Sequence, residues 1–325
     1  MPASATPLLQ VRDLVQEFVV RDYGGVKGGV VNAVSGVSFN VWPGETLGIV
    51  GETGSGKSTL ARSVLQAPRP KEGAVVFRGT DLTTLRGKNL LQARRHLQMV
   101  FQDPFGSLDP KWRVRDLVEE PLIAYRTGDR GARRKRVDEV LELVGLDPAG
   151  QGGRRPRELS GGQAQRVAIA RAVALSPALI ICDEAVSSLD VLIQAQVLNL
   201  FERLRAELGL SYLFIAHDLA LVKQVSDRVA VMYLGKLCEV GPGEEVYRQP
   251  LHPYTRALLD SVPGTKRARA VKTISGEPPS PVHPPSGCRF RTRCPRAAQR
   301  CADEEPPMRE LATGHSVACH FPVRS

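Results

Sequence analysis

The amino-acid sequence predicts an α/β fold with a mostly parallel sheet. Three observations lead there. Short apolar runs of strand length stand at 46–50, 98–102, 179–182 and 212–216. Stretches of helical periodicity separate them, and alternating strands and helices build parallel sheets. Chemistry-bearing residues follow directly on these runs, namely Gly51, Gln102, Asp183, Glu184 and His217. In an open α/β sheet a ligand sits beyond the carboxyl ends of the strands, so all five are expected in one crevice.

Taken in order, residues 8–18 alternate well enough for a first strand and 34–41 read as a second, with glycines 24, 25, 28 and 29 as a loop between them. Trp42-Pro43-Gly44-Glu45 turns into the strand at 46–50. Residues 74–77 form another strand and 89–96 a helix, and Asp103-Pro104 must end the β-prone run before it. Val137, Val140, Leu141 and Val144 recur at i, i+3, i+4 and i+7, one face of an amphipathic helix. Residues 147–156 read as loop, 164–175 and 191–208 as helices, and 228–233 with 236–240 as a hairpin-like pair. A short helix follows from His252-Pro253-Tyr254-Thr255. Residues 276–307 hold eight of the 24 prolines, and such a stretch cannot bury a conventional core.

At 325 residues the chain has room for one large or two ordinary domains. No apolar run approaches the ~20 residues that span a bilayer, and residues 1–10 lack the features of a secretory signal. A cytoplasmic protein with only peripheral membrane contact is expected. The net charge is +10, of which residues 266–325 supply +6 through eleven Lys/Arg against five Asp/Glu. The remainder is an ordinary solvated surface. With aromatics at 5% there is no stacking platform, so nucleic acid is not the expected partner. Cys182 and Cys238 lie in apolar stretches as small hydrophobes.

Gly51-Glu52-Thr53-Gly54-Ser55-Gly56-Lys57-Ser58-Thr59 is the most informative stretch. A buried strand, a glycine-rich turn and a helix start together make an anion cradle, with backbone N–H groups and the helix dipole aimed at a phosphate. Lys57 can reach terminal phosphates and the Ser58 hydroxyl can hold magnesium, as a nucleoside triphosphate requires. Leu159-Ser160-Gly161-Gly162-Gln163 opens a second helix with glycines at its start, a second potential phosphate site.

The phosphate loop, Gln102, the 159–163 stretch, Asp183-Glu184, Ser188-Leu189-Asp190 and His217 resemble, in that order, the ATP-binding subunits of ABC transporters. Residues 98–104, Ser107-Leu108-Asp109-Pro110, His252-Pro253-Tyr254-Thr255 and the cysteine-bearing tail are similar to the oligopeptide/dipeptide importer group, and to the second of its two ATPases. The resemblance implies a P-loop NTPase core with a mostly parallel sheet, an antiparallel β subdomain, a helical subdomain at about 103–175, and a small irregular metal-bound C-terminal region. It implies an ATP-binding domain at 8–249 and the oligopeptide-transporter C-terminal region at 250–325. The implied function is ATP hydrolysis that energises uptake of oligopeptides or dipeptides. An importer of nickel, a glycoside or another small solute is an alternative, and a soluble ABC ATPase acting on nucleic acid is a third reading. The implied partners are a second ABC ATPase subunit, a related paralogue, with two membrane permeases and, indirectly, an extracytoplasmic substrate-binding protein. The implied location is the cytoplasmic face of the membrane.

The resemblance also distributes roles. Gly51, Thr53, Gly54, Ser55, Gly56, Lys57, Ser58 and Thr59 would hold ATP. Phe18 would stack on adenine, with Tyr23 as runner-up and a plain core role for Phe18 as the alternative. Ser160, Gly161, Gly162 and Gln163 would hold the partner's ATP in trans. Ser58, Gln102 and Asp183 would take Mg2+, Glu184 would polarise the attacking water, His217 would contact the γ-phosphate, and Asp190 would communicate across the dimer. Ala185 stands where the family often has proline, a change that removes a backbone constraint but no chemical group. The helical lobe is implied to move with nucleotide, and a groove beside Gln102 to accept a short helix of the membrane subunit.

Cys288, Cys294, Cys301 and Cys319 are separated by five, six and seventeen residues. Zinc ribbons favour pairs about two to four apart, so zinc fits poorly. Disulfides do not suit the cytoplasm. Cys294-Pro295 weakly matches the end of some iron–sulfur runs. The resemblance implies a 4Fe–4S cluster on the four thiolates, its charge balanced by Arg289, Arg291, Arg293 and Arg296. Zinc and plain thiols stay open as alternatives. His320 is expected to be a bystander, and the metal to order a stretch too proline-rich to pack alone.

Overall fold

The computed structural model describes residues 6–20, 29–261 and 276–323. Twelve strands are numbered here along these residues: β1 Leu9–Val20, β2 Gly29–Val41, β3 Thr46–Val50, β4 Glu72–Phe77, β5 Thr80–Asp81, β6 Leu97–Val100, β7 Leu179–Asp183, β8 Ser211–Ala216, β9 Arg228–Tyr233, β10 Lys236–Pro242, β11 Arg309–Ala312 and β12 His315–Val317. The chain divides into two compact units, one from the residues up to Val41 with Thr46–Thr83 and those from Ile215 onward, the other from Trp42–Glu45 and Thr84–Phe214.

The first unit contains an antiparallel sheet in the order β2-β1-β4-β5. β1 and β2 pair from Leu9 opposite Val41 to Val20 opposite Gly29. Both strands outrun the stretches expected from side-chain pattern, because ladder pairing continues where alternation fails. The pairing register shifts between Val11 and Leu14, where Asp13 has a positive φ, and this irregularity breaks the period-two signal.

The same unit carries strands in the order β11-β12-β10-β9-β3. β3 runs parallel to β9, with Leu47 opposite Arg228 and Val50 opposite Val231. Every residue of β3 is buried, so it reads as a continuous apolar run. Helix Leu219–Val225 packs on it so closely that a Cβ at Gly48 would strike Val222 and Ser226. β9 and β10 form the expected antiparallel pair. Their turn uses Leu234 and Gly235 at φ 43° and 81°, the left-handed pair that suits a two-residue hairpin.

The tail is irregular over 276–298, as expected, but not throughout. β11 and β12 pair as a hairpin, and β12 adds to β10 with Val317 opposite Glu239. Phe290, Cys301 and Val317 are buried despite the proline content. Phe290 lies 5.2 Å, ring to ring, from both Tyr233 and Tyr254. The segment builds no core of its own; it inserts a few large side chains into a core already there.

In the second unit β6 runs parallel to β7, from Leu97 opposite Leu179 to Val100 opposite Cys182. Helix Gly161–Val173 is buried along most of its length, and helices Val114–Ala124 and Arg130–Leu143 pack against it. Val137, Val140, Leu141 and Val144 all point inward, as their spacing requires. Within 147–156, read as loop, a helical turn Pro148–Gln151 forms because the Asp147 carboxylate accepts the Ala149 and Gly150 N–H groups. Among the described residues no helix is long and apolar enough to cross a membrane.

Candidate functional site

In the first unit, β3 delivers the chain into the 51–59 loop and helix Lys57–Val64 leaves it. Gly56 has φ 101° and its Cβ would collide with the Ala33 carbonyl, while a Cβ at Gly51 would meet the Met232 carbonyl. Gly54, at φ 80°, occupies the same left-handed region. The Ser55 N–H donates to the Glu52 carbonyl at 3.1 Å, closing a tight turn. No side chain caps the helix start, and no acidic residue lies in its first turn. Its leading N–H groups and dipole therefore favour an anion. Lys57 is only 4% exposed, and its Nζ donates to the carbonyls of Gly51 at 2.7 Å and Glu52 at 3.0 Å. Thr53 and Gly54 are exposed at the rim; Ser58 and Thr59 are half-buried in the first helical turn.

Glu52, passed over by motif reading, is held through both its backbone and its side chain. Its N–H donates to Tyr254 Oη at 2.9 Å, and its carboxylate accepts both Arg293 nitrogens at 2.7 and 3.2 Å. The signal was present only as Tyr254 within 252–255 and as an arginine-rich tail. Neither points to residue 52 by spacing.

His217 follows β8 directly and is exposed. The neighbouring Asp218 caps helix Leu219–Val225 by accepting the Ala220 N–H at 2.7 Å. Phe18, 39% exposed near the end of β1 opposite Val31, is not a core residue. Tyr23 lies outside the described residues.

The second unit holds the remaining positions. β7 is buried throughout and ends at Asp183, followed by Glu184 at φ 50°. A non-glycine residue in that region costs about 1–3 kcal/mol, a strain found where geometry serves a task. The Ser187 N–H and Oγ donate to the Glu184 carbonyl at 3.1 and 3.0 Å, fixing that backbone. Gln102 Nε2 donates to Glu184 Oε2 at 3.0 Å, so these two residues meet across 82 positions of sequence. Ala185 is buried.

Asp190 caps helix Val191–Leu208, its Oδ1 accepting the Ile193 N–H at 3.0 Å. Helix Gly161–Val173 begins three residues before its expected start at 164, so Gly161, Gly162 and Gln163 form its first turn. The cause is a reciprocal cap. Ser160 Oγ accepts the Gln163 N–H at 3.3 Å, and Gln163 Oε1 accepts the Ser160 N–H at 3.0 Å. Gly162 is small by necessity, since a Cβ there would lie 2.7 Å from Ile193.

The four late cysteines gather in the first unit. The Cys288 N–H donates to the Cys301 carbonyl at 2.8 Å. Burial raises the Cys319 thiol to about 11, with the neighbouring Cys288, Cys294 and Cys301 adding to the rise. Burial likewise raises Cys288 and Cys294. Backbone N–H groups of Phe290, Arg291, Arg296 and Phe321 oppose these shifts by donating to the sulfurs. Among the described residues no group of three or more His, Cys, Asp or Glu is set to hold a metal ion, so the metal-bound expectation is not supported at the level of ligand geometry. The four arginines expected to flank the thiols hold different partners. Arg289 donates to the Leu234 carbonyl and Arg291 to the Ser286 carbonyl, Arg293 is paired with the Glu52 carboxylate, and Arg296 acts on Cys294. His320 bonds the Glu304 carbonyl at 3.1 Å.

The family description "ABC transporter" matches residues 34–187, and "Oligopeptide/dipeptide transporter, C-terminal region" matches 238–301. A solved cbiO1 structure from Clostridium perfringens, part of an ABC transporter complex, covers 74% of this chain and 91% of its own at 28% identity and TM-score 0.63. The dimeric ATP-binding cassette MJ0796, bound to ADP and Pi after hydrolysis, covers 72% and 98% at 29% identity and TM-score 0.63. The fold and loop are thus those of an ABC-type ATPase. The oligopeptide transport ATP-binding protein AppF of Bacillus subtilis is 49% identical, over 98% of each chain. OppF of Escherichia coli is 46% identical, over 96% of this chain and 95% of its own. This chain belongs to the family of oligopeptide transport ATP-binding proteins.

Proposed function

We propose that this chain is the ATP-hydrolysing subunit of an importer for oligopeptides or dipeptides, held peripherally at the cytoplasmic face by two membrane permeases. The supporting observation is the likeness to AppF and OppF along nearly the whole chain, cassette and cysteine-bearing tail together. An extracytoplasmic binding protein would supply the cargo. Reconstitution with the cognate permeases and binding protein tests it. Peptide-loaded binding protein is expected to stimulate ATP hydrolysis, whereas stimulation by nickel or a glycoside alone would reassign the cargo.

Phosphoryl transfer needs positioning and charge neutralisation more than covalent help. The loop 51–59 takes the triphosphate, with Lys57 released from the Gly51 and Glu52 carbonyls to reach its end. Ser58, Gln102 and Asp183 are assigned to Mg2+, Glu184 to the attacking water, His217 to the γ-phosphate and Phe18 to adenine. The left-handed backbone at Glu184 and its bond from Gln102 support that assignment, since both limit where the carboxylate can point. Ser160, Gly161, Gly162 and Gln163 serve the ATP of a partner subunit, so the working form is a pair. Exposed Phe101, Phe105 and Trp112 support a permease-docking face beside Gln102.

The four late cysteines are assigned to a 4Fe–4S cluster. Its support is the proximity of the four cysteines and the backbone N–H groups donated to three of the sulfurs, which would stabilise thiolate ligands once a cation has displaced the protons that burial keeps on them. When bound, the cluster would order the tail. Iron content and colour of protein purified without oxygen test the assignment. A colourless, iron-free preparation overturns it, and stoichiometric zinc would replace it.

A further inference from the structure

The cysteine-bearing tail reaches the phosphate loop through one side chain. The Arg293 side chain is 7% exposed and grips the Glu52 carboxylate with both terminal nitrogens. One of those nitrogens also donates to Tyr233 Oη at 3.3 Å. Tyr254 accepts the Glu52 N–H, so side chain and backbone of Glu52 are both held. The segment that presents Arg293 is itself pinned. Phe290 packs on Tyr233 and Tyr254, Arg289 donates to the Leu234 carbonyl, and the Arg293 N–H donates to the Phe290 carbonyl at 3.0 Å.

Glu52 places a carboxylate on a loop built to receive a polyanion. Unpaired, it would repel phosphate and be free to move the loop; paired with a fork-shaped cation, it does neither. We infer that Arg293 is a positioning residue for the phosphate loop, so that nucleotide affinity depends on the cysteine-bearing tail. This rests on the nucleotide reading of the loop. Nothing in motif spacing suggests it, since the pair is 241 residues apart.

The test is equilibrium binding of radiolabelled MgATP to the full-length chain, with thermal melting of each variant measured without nucleotide. Arg293→Gln is expected to weaken MgATP binding roughly tenfold or more, the scale of a lost charged hydrogen bond. The double variant Arg293→Gln with Glu52→Gln is expected to bind no more weakly than Arg293→Gln alone, because it leaves no unpaired carboxylate. Arg293→Lys, which keeps the charge but not the fork, is expected between wild type and Arg293→Gln. Affinity of Arg293→Gln within about twofold of wild type overturns the inference, even if its melting temperature falls. So does a double variant weaker than Arg293→Gln. Should Arg293→Gln not fold, wild-type affinity in Arg293→Lys overturns it as well. Failure of wild type to bind MgATP removes the nucleotide reading and the inference together, whereas equal binding by wild type and Arg293→Gln removes the inference alone.

Discussion

Glu184 combines a strained backbone with a carboxylate bonded by Gln102. Replacing it with glutamine keeps size and backbone, so nucleotide binding should persist. If Glu184 is the general base, as proposed, its loss should slow hydrolysis by ~10²–10⁴-fold. Single-turnover assays on the assembled ATPase pair check this, and near-normal turnover would remove Glu184 from the role. Asp190 separates two functions by a similarly small change. Its carboxylate caps an 18-residue helix, and asparagine caps about as well as aspartate. Asp190→Asn should therefore leave melting unchanged while reducing turnover of the pair, if its charge speaks across the interface. Unchanged turnover would leave it a cap and nothing more.

At the scale of elements, the helix Pro253–Asp260 is capped by His252, whose Nδ1 accepts the Tyr254 N–H at 3.1 Å. That bond requires a neutral ring. Burial lowers the His252 pKa to about 4 from 6.5, against the opposing pull of Glu239. Between those values the unfolded chain holds a proton that the folded chain does not. Stability is then fully present above about pH 6.5 and falls as pH drops toward 4, by on the order of 3 kcal/mol. Chemical denaturation across that range measures the slope. His252→Asn retains a capping oxygen without a titration and should flatten it. The capped helix starts show how far local chemistry carries. The helix 191–208 was legible to the residue, because its cap and glycine stop lie within its own sequence. The helix at Gly161 starts three residues before its side-chain pattern does, because glycines read as loop until the Ser160–Gln163 cap is seen.

For the molecule as a whole, the tail is the part least legible beforehand. Its proline content correctly argues against a separate core. It does not reveal that Phe290 inserts between aromatic residues of β9 and helix Pro253–Asp260. Phe290→Ala should cost about 3–5 kcal/mol, the usual range for a buried aromatic. Protease digestion should then release the tail before the strands unfold. Equal digestion in both proteins would show that the aromatic contact does not hold it. A second anchor is the buried Glu239 carboxylate, which accepts the Leu251 and His252 N–H groups and bonds His315 Nε2 at 2.7 Å. It joins β10, the 251–252 turn and β12 in one network.

By itself the sequence determined the ATP-site residue types, the strands that deliver them and the order of parts that places the chain in its family. These are short-range demands: a phosphate needs consecutive N–H groups, and a helix start needs its partner three residues on. The tertiary structure alone decided that Glu52 is clamped by Arg293 and Tyr254, that three tail arginines serve contacts other than the thiols, and that the tail completes a sheet. Those outcomes join residues tens to hundreds of positions apart, and their energy comes from burial and charge pairing that exist only once the distant segments have met.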